Sequence, residues 1–156
     1  KVGREFSEMM RHEWFTLGIH LGYRYEGSPI CWPDGTEPPA DEARTYLSTA
    51  RPGHRAPHAW LADGRSTLDL FGRGFVLLGF GVTPAGAAPL LEAARDRRVP
   101  IEFAGIDEPH IVALYQRTFV LVRPDGHVAW RGDHMPDDPL HLIDVVRGAA
   151  IACKMG

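Results

Sequence analysis

An uninterrupted apolar run, Phe75–Phe80, constrains the fold of this chain more than any other feature of its sequence. Such a run is typical of a central strand that is buried on both of its faces. A second strand is predicted over residues 101–106, and Pro89 suits the first turn of a helix that separates the two strands. Because strands joined through a helix usually lie parallel, the sequence predicts a βαβ unit with a right-handed crossover.

A β-hairpin is predicted further along the chain. A Pro-Asp-Gly turn at residues 124–126 separates two apolar stretches, 119–123 and 127–131. With a helix on either side of the hairpin, the order from residue 75 onward becomes β-α-β-α-β-β-α. One βαβ half followed by one ββα half is the order of the thioredoxin fold, so the predicted class is an α/β, thioredoxin-like domain.

Capping residues place the helices. Ser66, with Asp69 three positions later, predicts a short capped helix after a short strand at 58–61. Residues 109–116 have helical spacing, and Asp138 precedes a proline that suits the start of a last helix. The predicted buried faces are Ile111, Val112 and Tyr115 in the first of these two helices, and Leu140, Ile143, Val146 and Ala150 in the second.

The pattern upstream of these elements is different. Residues 2–17 have the apolar spacing of an amphipathic helix, which Gly18 can end, and residues 19–25 alternate with the period of a half-buried strand. The following stretch is rich in proline and glycine, which interrupt regular structure. The predicted organisation is a helix-strand remnant of another domain at 1–26, a Pro-rich linker at 27–57 and a thioredoxin-like domain at 58–156.

Composition excludes several classes of function. The formal net charge of −3 and the pI of about 6.2 argue against non-specific nucleic-acid binding, which needs clustered cations. No apolar run approaches the ~20 residues of a membrane span. Cys31 and Cys153 lie too far apart in sequence for a redox CxxC motif. Sparse cysteine fits a reducing cytoplasm, where we expect the protein.

Thiol redox chemistry is not expected, although the predicted fold would suit it. A redox thioredoxin carries its thiolate just after the first strand of the βαβ unit, at a helix N-terminus. Residues 81–87 occupy that place and contain no cysteine, and Thr83 is their only hydroxyl. Residues 116–118, before the third strand, also lack the proline that is usual there. The scaffold is therefore predicted to be kept without its dithiol.

Gly79-Phe80-Gly81 invites a dinucleotide-binding interpretation, because it lies between a strand and a helix. The full pattern also needs a later glycine, where this chain has Pro84, and an acidic residue that ends the next strand. Glu102 begins that strand instead. We therefore interpret the glycines as a tight strand-to-helix turn.

The remaining polar candidates are better explained by structural roles. Proline interrupts both histidine pairs, so solvated or backbone-bonded imidazoles are favoured over metal ligands. The two carboxylate pairs lie where helices begin, which favours capping. No serine has a nucleophile-elbow sequence around it, and the strand aromatics favour core packing. The histidine pairs are His54 with His58 and His134 with His141, and the carboxylate pairs are Asp107-Glu108 and Asp137-Asp138. The serines are Ser28, Ser48 and Ser66, and the strand aromatics are Phe75, Phe80, Phe103, Phe119 and Trp130.

Several sequence blocks together resemble a known family. The blocks are residues 21–25 with 27–29, residues 51–61, residues 66–72 with 75–78, and residues 121–132. They resemble the C-terminal part of FAD-dependent aromatic-ring hydroxylases, the phenol hydroxylase-like class A flavoprotein monooxygenases. The resemblance covers nearly the whole chain, and the last three of these blocks, in order at family-like spacing, make it fairly specific.

The resemblance implies a larger parent enzyme, in which this chain is a structural or oligomerising fragment. The parent would bind FAD in another domain, use NAD(P)H and O₂, and hydroxylate an aromatic small molecule. Its FAD fingerprint is absent here, so no catalytic, cofactor-binding or metal-binding residue is assigned, and no FAD is expected in this chain. The expected partners are the rest of the parent chain and a second copy in a homodimer. The alternative is a stand-alone, redox-inactive thioredoxin-fold binding module; an independent redox enzyme fails for want of a reactive cysteine.

Overall fold

The structure, a computed structural model, describes residues 17–40 and 42–150. Its α-helices are α1 (Leu17–Leu21), α2 (Ala88–Asp96), α3 (Pro109–Tyr115) and α4 (Pro139–Val146). Its strands are β1 (Phe75–Phe80), β2 (Ile101–Ile106), β3 (Phe119–Val122) and β4 (Val128–Gly132). Two 3₁₀ helices, Thr67–Leu70 and Pro84–Ala87, precede β1 and α2 respectively.

The four strands form one mixed sheet in the order β2-β1-β3-β4. Strands β1 and β2 are parallel, with Phe75 opposite Ile101, so the predicted βαβ unit is confirmed. Strand β3 runs antiparallel to β1 and to β4. The predicted hairpin is also confirmed, with an irregular register between Leu121 and Val122. The central strands are buried along nearly their whole length, as their continuous apolar sequence requires.

Each face of the sheet is covered by helices. Helices α2 and α4 pack together on one face, where a buried cluster includes Leu77, Leu90, Leu121, Leu142 and Ile143. Helix α3 lies in the cluster of the opposite face, which includes Val76, Leu78, Ile111, Tyr115 and Val120. Side chains of successive strand residues point to opposite faces, which explains why Leu77 and Leu78 belong to different clusters.

Two predicted helix faces need correction. In α3, Ile111 and Tyr115 are buried as expected, but Val112 is 36% exposed. In α4, Ile143 and Val146 are buried, whereas Leu140 is 37% exposed and Ala150 lies beyond the end of the helix. Helix α4 instead buries Leu142 and Val145 as well. It therefore presents a broader apolar face than the predicted stripe, because it packs against both the sheet and α2.

The predicted strand at 19–25 is wrong. Residues up to Leu21 continue helix α1, and Gly18 lies inside that helix instead of ending it. The chain then turns tightly at Gly22, where a Cβ atom would lie 2.1 Å from the carbonyl oxygen of Gly18. An extended strand cannot begin through such a turn. The rest of the helix predicted at 2–17 lies outside the described residues.

The described part of the Pro-rich segment, residues 27–57, has no helix or strand, but it packs along the outer edge of β4. The Trp32 N–H donates to the Ala129 carbonyl (2.7 Å), and the Gly53 N–H donates to the Val128 carbonyl (2.8 Å). In return, the Val128 N–H donates to the carbonyl of His54 (2.8 Å). These bonds satisfy backbone groups that an edge strand would otherwise leave open.

The next stretch is less regular than predicted. The strand expected at 58–61 is reduced to a single bridge between Trp60 and Ser66. The predicted cap is confirmed, because the Ser66 hydroxyl accepts from the Leu68 N–H and the Asp69 carboxylate accepts from the Ser66 N–H. Within the described ranges, no helix has the length and hydropathy needed to span a membrane.

Candidate functional site

One cavity is formed by the Pro-rich segment together with Tyr25 and Glu26. Its volume is about 520 Å³. Prolines and backbone form much of its wall, and a few polar side chains point to the same region. Its lining includes Tyr25, Glu26, Cys31, Asp34, Thr36 and Arg51.

A buried ion pair closes the sheet side of this region. The Arg131 Nε lies 2.5 Å from the Asp34 Oδ2, and the two side chains are only 4% and 7% exposed. The Thr36 hydroxyl also donates to Asp34 (2.6 Å). Burial alone would raise the pKa of Asp34, but the hydrogen bonds from Thr36 and Arg131 outweigh it and hold that pKa below its usual value. Asp34 is therefore an anion that fixes the segment to β4.

Arg51 connects the ion pair to a histidine. Its Nη1 donates to the Thr36 hydroxyl (2.9 Å), and its Nη2 lies 3.9 Å from the Glu26 carboxylate. The His54 Nε2 lies 3.4 Å from the same carboxylate. Burial lowers the pKa of His54, and the Arg51 charge acts in the same direction, against the opposing effect of Glu26. The imidazole is thus held neutral near pH 7.

Arg123 contacts two residues of the cavity wall, Tyr25 and Cys31. Its guanidinium stands 5.2 Å from the centre of the Tyr25 ring, within the range of a cation–π contact, and pairs with Asp125 at 2.7 Å. Its Nη1 lies 3.8 Å from the Cys31 sulfur. Burial raises the pKa of the Cys31 thiol in spite of this contact. Cys31 is therefore a buried thiol and lacks the depressed pKa of a catalytic nucleophile.

Sequence reasoning did not single out Arg123, Arg131 or Asp34. The signal that could have found the arginines is a charge beside apolar residues in strands that the pattern already predicts to be buried. Asp34 lies in an irregular segment, 97 residues from its partner, and carries no comparable signal. Together these contacts fix the Pro-rich segment in place. Among the described residues of the network, no activated nucleophile is paired with a base.

A second cavity, of about 460 Å³, lies beside the outer strand β2. Glu108 lines it, and its Oε1 accepts a hydrogen bond from the Ala62 N–H (2.9 Å), which lowers the pKa of the carboxyl. This geometry corrects the predicted role of Glu108. It occupies the N-cap position of α3, but its side chain caps no helical N–H. In contrast, Asp138 caps α4 as predicted, accepting from the His141 N–H (2.9 Å).

Comparisons with known proteins place this architecture in a family. The model of the family described as "aromatic-ring hydroxylase, C-terminal" matches residues 49–149. The chain belongs to that family. It is 39% identical over 127 residues to the FAD-dependent monooxygenase apdD of Emericella nidulans, covering 76% of this chain and 20% of the relative. It is 36% identical to the tetracenomycin B2 monooxygenase-dioxygenase of Streptomyces olivaceus, covering 88% of this chain and 27% of the relative.

A solved structure shows the same relationship. RebC soaked with chromopyrrolic acid, with bound 7-carboxy-K252c, superposes with a TM-score of 0.81 at 52% identity. That match covers 90% of this chain and 26% of RebC, so it extends upstream of residue 49. The chain thus spans only about a fifth to a quarter of the length of the relatives that it matches.

Gly79-Phe80-Gly81, the turn that most resembles a dinucleotide-binding motif, does not fit FAD. A Cβ atom at Gly79 would lie 2.6 Å from the Phe103 ring. The space beside this glycine is therefore occupied by a side chain and is not open to a phosphate. Gly81 has φ +66°, as a tight turn requires. Pro84 begins the following 3₁₀ helix and has no N–H to offer an anion, while the Thr83 hydroxyl makes no capping bond.

The histidines that were candidate metal ligands contact different partners. His54 lies beside the Glu26 carboxylate, the His58 ring stands edge-on to Trp60 at 5.0 Å, and the His141 ring contacts Trp32 at 5.3 Å. The part of the chain that the structure describes contains no group of three side chains that could hold a metal ion. The strand aromatics pack in the two core clusters, as their pattern predicts. Cys153 lies outside the described residues.

Proposed function

We propose that this chain is the C-terminal portion of a larger FAD-dependent, NAD(P)H-using aromatic-ring monooxygenase. One observation carries the proposal: a family model for hydroxylase C-terminal regions matches most of the chain, while the flavin-dependent relatives are about four times as long. The substrate of the whole enzyme is an aromatic small molecule. It gains a ring hydroxyl from O₂, and NAD(P)H supplies the two electrons that reduce the second oxygen atom to water.

The role of this portion is structural. Its described residues form two apolar clusters, a β-hairpin and a buried ion-pair network, and we assign no catalytic, cofactor-binding or metal-binding residue to it. FAD supplies the oxygen chemistry in such enzymes, and this chain contributes stability and covering surface to the portion that holds FAD. Sparse cysteine supports a cytoplasmic location for the whole enzyme.

We also propose that residues 58–156 form a thioredoxin-like domain. The strand order β2-β1-β3-β4 supports this class, as do two parallel strands followed by an antiparallel hairpin. So does the distribution of the helices, with α2 and α4 on one face and α3 on the other. In this division residues 27–57 are the linker, docked along β4, and residues 1–26 belong to the neighbouring portion of the enzyme.

Absorbance spectroscopy tests the proposal directly. The protein encoded by the whole reading frame should purify with a stoichiometric flavin band and consume NAD(P)H in the presence of O₂ and a hydroxylatable aromatic compound. The 156-residue chain should show neither property. A stoichiometric flavin band in the chain itself would overturn the assignment of no cofactor site. A complete protein of this size without flavin would instead favour a stand-alone binding module.

A further inference from the structure

Helix α1 exposes its apolar side chains to solvent. None of its residues is buried; Leu17 is 53% exposed and Ile19 is 59% exposed. Tyr23, just after the helix, is 62% exposed, and Leu47 is 50% exposed. Tyr23 borders one crevice with Ile19 and a second crevice with Leu47, so these three residues lie in one region of the surface. We call Ile19, Tyr23 and Leu47 the α1 face.

Glycine explains why the helix has this orientation. The Gly18 N–H donates to the Ala43 carbonyl (3.1 Å), and a Cβ atom at Gly18 would lie 1.7 Å from the carbonyl oxygen of Glu42. The helix therefore rests on the backbone of residues 42–43 through a position that tolerates no side chain. Its large apolar residues are left on other sides, where no described residue buries them.

The charges beside the α1 face are occupied by their own chain. The Arg24 Nη1 donates to the Pro39 carbonyl (2.9 Å), and its Nε lies 3.4 Å from the Glu26 carboxylate. Glu42 accepts from the Arg44 N–H. The surface thus offers a partner mainly apolar contact, which is typical of permanent interfaces and not of transient, charge-steered ones.

We infer that the α1 face docks on the flavin-binding portion of the same monooxygenase. This inference rests on the proposed function. The family model for the C-terminal region begins after this face, at residue 49, whereas the superposition on RebC extends upstream of that residue. The face therefore belongs to the stretch that the longer relatives share outside their C-terminal region. About three quarters of such a relative lies outside this chain and is available to cover it.

A pair of substitutions, measured in two proteins, tests the inference. Ile19→Glu places a charge on the α1 face, and Leu140→Glu is the matched control at an exposed leucine of another short helix. In the 156-residue chain both variants should unfold within about 1 °C of the parent. In the protein encoded by the whole reading frame, Ile19→Glu should lower the unfolding temperature by about 4 °C and speed flavin loss several-fold, while Leu140→Glu should do neither. Tyr23→Ser should repeat the result of Ile19→Glu.

Three results would overturn the inference. Ile19→Glu could be silent in both proteins, or it could destabilise the short chain equally, which would mean that residues 1–16 or other parts of that chain cover the face. Sedimentation could instead reveal a dimer of the short chain that Ile19→Glu dissociates, which would make a second copy the occupant. The proposed function fails separately, if the whole reading frame encodes no flavoprotein.

Discussion

A single backbone oxygen, the Pro57 carbonyl, anchors the chain as it enters the core. It accepts from the Tyr115 hydroxyl (2.7 Å) and from the Thr67 hydroxyl (2.9 Å), and the Thr67 oxygen in turn accepts from the Ala59 N–H (3.0 Å). Burial raises the pKa of Tyr115 well above its usual value, so its hydroxyl remains a donor throughout the ordinary pH range. Hydroxyl groups from the 3₁₀ helix Thr67–Leu70 and from α3 therefore meet at one acceptor.

Removing one of these donors should have a modest, measurable cost. Tyr115→Phe keeps the ring packed and deletes the bond to Pro57, so we expect the free energy of unfolding in urea to fall by about 1 kcal/mol. The loss is limited because Thr67 still satisfies the carbonyl. Tyr23→Phe, at an exposed ring, is the control and should leave the unfolding midpoint unchanged. An equal effect of both substitutions would contradict the proposed role of this bond.

At the scale of elements, the Pro-rich segment is held to the sheet by the Asp34–Arg131 ion pair. Asp34→Asn removes the anion and leaves the Arg131 charge buried, so we expect the free energy of unfolding to fall by about 3 kcal/mol. Urea denaturation measures this loss. Asp63→Asn breaks an exposed pair with Arg65 and should leave the midpoint unchanged.

A double variant separates the cost of an unpaired charge from the value of the pair. Replacing both partners, in Asp34→Leu with Arg131→Met, should recover much of the stability that Asp34→Asn loses, since no charge then stays buried. If the double variant is as unstable as the single one, the network's hydrogen bonds to Thr36 matter more than the ion pair.

The elements that sequence patterns predict well are those with local signals. The apolar run of β1, the Pro-Asp-Gly turn and the Ser66 cap each carry their information within a few residues. The strand prediction at 19–25 is wrong because a period-two pattern does not reveal whether a neighbouring strand exists. The pattern could not reveal the Asp34–Arg131 pair either, because docking of the Pro-rich segment joins residues that are far apart in the chain.

For the whole molecule, His54 links stability to pH. Because burial and the nearby Arg51 lower the pKa of His54, the unfolded chain binds a proton more readily than the folded chain does. This contribution to stability is present above the unfolded pKa of about 6.5 and is lost as the pH falls through the folded pKa. We therefore expect the urea midpoint to fall between pH 7 and pH 5.

A substitution tests whether His54 causes this dependence of the urea midpoint on pH. His54→Gln should reduce the difference between the midpoints at pH 7 and pH 5, because the neutral amide has no proton to gain. His20→Gln, at an exposed position, should retain the full difference. An undiminished slope in His54→Gln would show that other groups govern the acid response.

The Pro-rich segment gives β4 a permanent neighbour that cannot itself propagate a sheet. Proline has no amide hydrogen, so the segment shields the strand with a few bonds and offers no regular template beyond them. A protease cut within residues 33–50 is expected to loosen the hydrogen bonds that Trp32, Gly53 and His54 make with β4, and a bare strand edge favours intermolecular β-aggregation. We therefore expect a cut in the Pro-rich segment to increase the rate at which the protein aggregates.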